Sequence, residues 1–174
     1  LDVGAGGFSS DPSFTSVDKY TEADIVADMW DIPLPNESVD WIYCNNALEH
    51  VSKFDVVPTL REWWRLLRPG GLLQLIVPDL EWTLRFWLEV PTTGWPMDII
   101  YGNQNHAGEF HRTGFTPKIL WNYFVEANPG GWHVNEMKLE HGEYEKRENK
   151  EEESVTYIDA FQRLIIVNAS KVSI

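Results

Sequence analysis

The stretch DVVPTLREWWRLLRPGGLLQLIVPD, residues 55–79, decides the fold class. Val56, Val57, Leu60, Trp63, Trp64 and Leu67 recur at i, i+1, i+4, i+7, i+8 and i+11, which places them on one face of a helix. Pro58 fits only in the first turn, where its missing N–H has no intrahelical partner to lose. Pro69-Gly70-Gly71 stops the helix. The run that follows, LLQLIVPD at 72–79, is short, nearly all apolar and bounded by Gly and Pro. It reads as a strand buried on both faces, as in a parallel sheet.

Outward from there, VDWIYCNN (39–46), DIVAD (24–28), SVDKY (16–20) and residues 1–3 read as further strands. TPKILWNYFVEA (116–127) reads as a helix with Thr116 as N-cap and Pro117 at N1. WHVNEMKLEHGEY (132–144) and DAFQRLIIVNASK (159–171) read as a closing pair of strands. The charge run EKRENKEEES between them reads as a solvated loop. Strands alternating with helices predict an α/β doubly wound sheet. No repeat and no linker divides the chain, so one domain over 1–174 is expected. The chain opens inside a strand, so its N-terminus is expected to be truncated.

Composition narrows the function. Hydrophobic residues are 43% of 174, enough for a core, and no apolar run reaches the roughly 18 residues of a membrane span. Acids outnumber bases 27 to 14, for a net charge of −13, which disfavours nucleic acid and anionic membranes as partners. A single cysteine, Cys44, rules out an intrachain disulfide and a cysteine-based metal site, and fits a reducing, cytoplasmic setting. Nine Trp residues serve as core fillers, or line a pocket or an interface such as that of a homodimer.

In doubly wound folds ligands bind at the carboxyl ends of the strands. Gly4-Ala5-Gly6-Gly7 follows the first strand, a turn that lets a ligand approach the backbone. Asp18 ends the second, where an acid can accept from both hydroxyls of a ribose. Asp28 ends the third, able to accept from an adenine amino group while Met29 offers a soft apolar face. Asn45-Asn46 ends the fourth and Asp79 the fifth, where a lone Asp is a turn former or helix cap. A dinucleotide site fits less well. Ser9 stands at the third small position of G-x-G-x-x-G, and Asp18 comes too soon for an acid about 20 residues on.

In combination these stretches resemble the class I S-adenosylmethionine (SAM)-dependent methyltransferases, of the small type found among bacterial and metagenomic sequences. LDVGAGG looks like the first motif, SVDKY the ribose-binding acidic motif, VADMWDIPLPNESVDWIYCNNALEHV the adenine contact and fourth strand, and LREWWRLLRPGGLLQLIVPD the helix and fifth strand. The resemblance implies a Rossmann-like sheet of about seven strands, mostly parallel, with the last strand antiparallel. It also implies roles. Asp2 and the Gly4, Ala5, Gly6 turn hold the amino acid end of SAM, Asp18 with Lys19 beside it the ribose, Asp28 and Met29 the adenine, and Asn45 the methionine moiety. Two departures stand out. Phe8 occupies the place of the family's third glycine, and only ten residues separate Gly7 from Asp18, so the first helices must be short or absent.

Methyl transfer needs donor and acceptor oriented and water excluded, and a base only where the acceptor must lose a proton. His50 follows the fourth strand, and NQNHAGEFHRTGF carries His106, Glu109, His111 and Arg112 in a segment suited to a lid. His111 and Arg112, then His106 and His50, are the candidates for meeting the acceptor. The spacing of His106, Glu109 and His111 lacks the helical i, i+4 pattern of zinc motifs, so no metal site is expected. The expected function is methyl transfer from SAM, releasing S-adenosylhomocysteine, to a small-molecule or sugar-containing acceptor. The other readings are a degenerate methyltransferase fold serving as a binding or partner subunit, and an NAD-dependent oxidoreductase.

Overall fold

The computed structural model describes residues 1–7, 9, 11–89, 95–128, 131–142 and 162–172; Phe8 and the charge run at 145–154 lie outside them. Seven strands form one sheet: β1 (Asp2–Val3), β2 (Ser16–Asp18), β3 (Ile25–Val26), β4 (Val39–Asn45), β5 (Leu67–Pro78), β6 (Trp132–Gly142) and β7 (Gln162–Lys171). Their order is β3-β2-β1-β4-β5-β7-β6. Every pairing from β3 to β5 is parallel, and β7 runs antiparallel to both of its neighbours. The order reverses between β1 and β4, and such a switch point opens a crevice at the strand ends.

Among the described residues four α-helices accompany the sheet: α1 (Val56–Leu66), α2 (Leu80–Glu89), α3 (Trp95–Tyr101) and α4 (Pro117–Ala127). α1 and α4 form where the sequence predicts, α4 with Thr116 Oγ1 accepting the Ile119 N–H at 3.3 Å; α1 stops at Leu66, earlier than expected, because Leu67 turns to extended backbone and begins β5. They lie side by side, tied where Arg61 Nε donates to Ala127 O at 3.0 Å and Trp64 Nε1 to Gly131 O at 3.0 Å. Their inner faces and one face of the sheet make the core, with Leu60, Trp63, Leu120 and Phe124 against Ile42, Cys44, Leu73, Leu75, Val77 and Val167. Alternation along each strand sends Trp41 and Leu72 to the opposite face, where they are 44% and 49% exposed. Among the described residues no helix links β1 to β2 or β2 to β3, as the short spacings predict, so little covers that face beyond Phe14, packed edge-on to Trp41 at 5.0 Å.

α2 and α3 are not anticipated by the sequence reading, which places no helix between β5 and Thr116. Asp79 caps α2, its Oδ1 accepting from Glu81 N at 3.1 Å and Trp82 N at 3.3 Å. α3 ends just before the expected lid at 103–115, which returns along the strand ends to a parallel bridge between Asp79 and Phe115. No described helix is long and apolar enough to cross a membrane. Of the Trp residues, Trp63 is fully buried, whereas Trp41, Trp87 and Trp121 are exposed singly along the chain.

α1 does more than fill the core. Trp63 Nε1 donates to Met29 O at 3.0 Å, Glu62 Oε1 accepts from Ile32 N at 3.0 Å, and Arg65 donates to Ile32 O and Leu34 O at 3.2 and 2.9 Å. The helix thereby holds the irregular segment after β3 against the strand ends. Trp63→Ala should lower unfolding free energy by about 3–5 kcal/mol, the usual loss for a buried Trp, and release Met29 as well. Urea titration of the variant against wild type checks it. A loss under about 1 kcal/mol would deny Trp63 this place in the core.

Candidate active site

β1 ends at Val3, and the chain turns at once through Gly4, Ala5 and Gly6. Gly4 N donates to Val17 O at 2.8 Å, which draws the turn over the end of β2. Gly4 sits at φ +76°, and a Cβ there would overlap the Ala47 methyl, so the turn closes only with glycine.

Asp18, at the end of β2, accepts three backbone N–H bonds: Oδ1 from Tyr20 at 2.7 Å and Thr21 at 3.0 Å, and Oδ2 from Gly6 at 3.0 Å. One carboxylate thus links the glycine turn to the chain beyond β2. Burial alone would raise its pKa, but the Tyr20, Gly6 and Thr21 N–H groups outweigh that and hold it below the ordinary carboxylate value. A folded-state pKa below the unfolded one contributes stability above the unfolded value, and that contribution is lost as pH falls through the folded one. Asp18→Asn should therefore melt below wild type near pH 7 and converge on it in acid, below a pH of about 3.9. Melting curves by circular dichroism at both pH values test this. An equal gap at both would show that the charge is not the source.

A cavity of about 260 Å³ lies at these strand ends, open to solvent on one side. Gly4, Gly6, Asp18, Lys19, Asp28 and Met29 line it, with Ala27 and Trp30 continuing the wall after β3. Lys19 Nζ bonds Asp28 Oδ1 at 2.7 Å, which leaves the other Asp28 oxygen for a ligand. The opposite wall is Asn46, Ala47 and His50 after β4, with His106, Gly108, Glu109 and Arg112. His106 Nε2 and Glu109 Oε1 are 3.4 Å apart, and Gly108 packs directly on the Tyr20 ring.

The segment that carries these groups is fastened to the strand ends. Arg112 N and Thr113 N both donate to Glu49 O, at 2.8 and 3.1 Å, and Thr113 Oγ1 donates to Val51 O at 2.8 Å. His111 N donates to Tyr101 O at 3.0 Å. Gly102, at φ +78°, leaves no room for a Cβ beside Glu109 O.

The expected site residues therefore divide. Gly4, Gly6, Asp18, Lys19, Asp28, Met29, His50, His106 and Arg112 meet around one cavity. Asp2, Ala5, Asn45 and His111 do not line it. Asp2 is buried in β1, where its Oδ2 accepts from Ser9 Oγ at 3.2 Å. Asn45 shares a strand face with Tyr43, to whose hydroxyl it bonds, and Asn46 at φ +50° takes the place at the cavity wall. Neighbours the sequence reading did not single out are Tyr20, Trp30 and Ala47; the doublet Asn45-Asn46 was the signal for Asn46.

His111 lines a second cavity of about 220 Å³ with Glu49, Ile99 and Tyr101. Its ring meets that of His50 edge-on, centroids 4.8 Å apart. Burial lowers the pKa of both imidazoles, with His111 adding to the effect on His50, so both rings are neutral near pH 7. Glu49 is 2% exposed, and neither carboxyl oxygen has a hydrogen-bond partner among the described residues. Burial pushes its pKa up to about 8.

Comparison with known proteins agrees with this fold. Residues 1–75 match the family described as Methyltransferase domain. No curated protein matches the sequence significantly. Among solved structures, a SAM-dependent methyltransferase from Methanosarcina mazei superposes at TM-score 0.65 with 15% identity, over 99% of this chain and 91% of that one. The Burkholderia thailandensis 1,6-didemethyltoxoflavin-N1-methyltransferase, solved with 1,6-didemethyltoxoflavin and S-adenosylhomocysteine, gives 0.62 with 17% identity, over 99% and 70%. A Haloferax volcanii methyltransferase in complex with the Trm112 activator gives 0.59 with 16% identity, over 99% and 81%. Residues 1–75 thus match a methyltransferase domain, and nearly the whole chain has the fold of the SAM-dependent methyltransferases it superposes on.

Proposed function

We propose that the chain transfers a methyl group from SAM to a small-molecule acceptor, and that both bind in the cavity between the glycine turn and the segment 106–112. One observation carries the reading. Asp18 both anchors the Gly6 N–H and lines a cavity that Asp28 and Met29 share with His50, His106 and Arg112. The residues suit the donor. Asp18 keeps lone pairs beyond its three N–H bonds, Asp28 keeps one oxygen, and Gly4 and Gly6 leave the turn without side chains. The relative solved with S-adenosylhomocysteine supports the same cofactor here.

Bound SAM supplies a methyl group on a positively charged sulfur, open to in-line displacement by an acceptor lone pair. The protein orients and encloses. Asp18 fixes the ribose side, and Asp28 with the Met29 backbone the adenine side, held by Trp63 from beneath. His106 and Arg112 border the open side and meet the acceptor. His50, neutral near pH 7, can take a proton where the acceptor carries one. His111 supports His50 from behind rather than touching the acceptor from the cavity wall. The acidic balance of the chain and the modest cavity favour a small acceptor over a nucleic acid. Calorimetric titration should show one-to-one binding of SAM and S-adenosylhomocysteine at micromolar Kd. No heat from either would remove the reading.

A further inference from the structure

The function just proposed leaves the most unusual group in the molecule without a role. A carboxylate sealed from solvent is ordinarily paired or coordinated, because desolvating an uncompensated charge is very unfavourable. Glu49 is sealed, and neither of its oxygens has a hydrogen-bond partner among the described residues. What it faces is imidazole: one ligand atom each from Glu49, His50 and His111 lie within 4.8 Å of one another. They are drawn from a single 3₁₀ turn, Leu48–His50, and from a segment pinned to that same turn by Arg112 N and Thr113 N.

The geometry points to a binding site for one divalent first-row transition-metal ion, held by the Glu49 carboxylate and the His50 and His111 imidazoles. Three details fit. His111 Nδ1 lies 2.7 Å from Ile99 O, which can only accept, so Nδ1 carries the proton and Nε2 presents its lone pair. A carbonyl on the far nitrogen is how metal-bound imidazoles are ordinarily oriented. His50 Nδ1 is buried with no hydrogen-bond partner among the described residues. Two imidazoles and one carboxylate match the preference of Zn²⁺, Co²⁺, Mn²⁺ or Fe²⁺, and supply too few oxygens for Mg²⁺ or Ca²⁺.

His50 lines the main cavity while Glu49 and His111 line the second, so the ion would stand where the two meet. Three protein ligands leave positions open, and on the methyl-transfer reading an acceptor oxygen would take one of them; with the ion bound, His50 is a ligand and the ion would take over its part by lowering the acceptor's pKa, the proton leaving to water. Binding of the ion does not depend on that reading, because it is measured without SAM and without acceptor.

The test is titration of the chelator-treated, dialysed chain with Zn²⁺, Co²⁺ and Mg²⁺ by calorimetry. Zn²⁺ and Co²⁺ should bind one to one and raise the melting temperature, and Mg²⁺ should not. Glu49→Gln keeps the shape of the side chain and removes its charge. It and His111→Ala should each weaken Zn²⁺ binding by at least the roughly 10–100-fold that loss of a supporting partner produces. His133→Ala, exposed on β6, should leave Zn²⁺ binding unchanged. X-ray absorption of the Zn²⁺-loaded wild type needs no variant to fold. It should show nitrogen and oxygen neighbours with imidazole scattering and no sulfur, Cys44 being the only cysteine. Absence of binding, affinity unchanged in Glu49→Gln, or a sulfur neighbour would each overturn the site. Loss of SAM binding with Zn²⁺ binding intact would overturn the methyl-transfer reading alone.

Discussion

Asp18→Ala should reduce SAM affinity by about two orders of magnitude. The carboxylate acts on the ligand twice. It offers the ribose a charged acceptor, and a charge-assisted hydrogen bond contributes roughly 1.5–3 kcal/mol, with tenfold in affinity for each 1.4. It also holds the Gly6, Tyr20 and Thr21 N–H groups, so its loss frees the turn against which the ligand packs. Asp18→Asn separates the two contributions. An amide keeps one acceptor oxygen, able to hold Tyr20 and Thr21 N–H, and presents Gly6 with a donor instead. Its affinity should fall between wild type and alanine. Calorimetry with SAM decides, with far-UV circular dichroism confirming that each variant is folded. Affinity within a few-fold of wild type in Asp18→Ala would place the nucleoside elsewhere.

That prediction uses residues the sequence made legible, and the reason is locality. Asp18 and the glycine turn are each set by a strand end a few residues long, and spacing along the chain reports them directly. The same holds for the existence of α1 and β5, though not for their boundary: the helix ends at Leu66, and Leu67 and Pro69-Gly70-Gly71, read as its last apolar position and its stop, lie in β5. α2 escapes because Trp82, Leu84, Phe86, Trp87 and Leu88 spread apolar residues around the helix. The one local sign of it was Asp79, whose role as a cap depends on a helix starting there. Asn45 fails for a different reason. A strand points alternate side chains to opposite faces, so a one-residue difference in where β4 ends exchanges Asn45 for Asn46.

The Glu49, His50 and His111 cluster lay beyond sequence reading altogether. Spacing tested His111 against Glu109 and His106, its neighbours in the chain, and found no metal pattern. The fold pairs His106 with Glu109 and delivers His111 to Glu49 instead, through backbone bonds from Arg112 and Thr113 that join segments about sixty residues apart. Nothing in the local pattern of either segment encodes that meeting. Once the meeting is known, its chemistry follows from the residue types alone.

The contact between Gly4 and Ala47 joins the legible to the illegible, and a double-mutant cycle can measure it. Gly4→Ala should lower unfolding free energy by about 2–5 kcal/mol. Roughly 1–2 of this is the left-handed backbone that a side chain resists. Another 1–3 is the overlap of the new methyl with that of Ala47, as in other overpacked sites. Ala47→Gly removes the second methyl, so in the double variant the overlap disappears and the backbone strain stays. Stability should then recover by about 1–3 kcal/mol relative to the sum of the single variants, a coupling that independent sites do not show. Urea denaturation of the four proteins gives the coupling energy. SAM affinity should fall in Gly4→Ala and partly return in the double variant, because the turn regains its path over Val17. Strict additivity would mean that the turn after β1 does not rest on Ala47, and the wall of the cavity between β1 and β4 would have to be drawn differently.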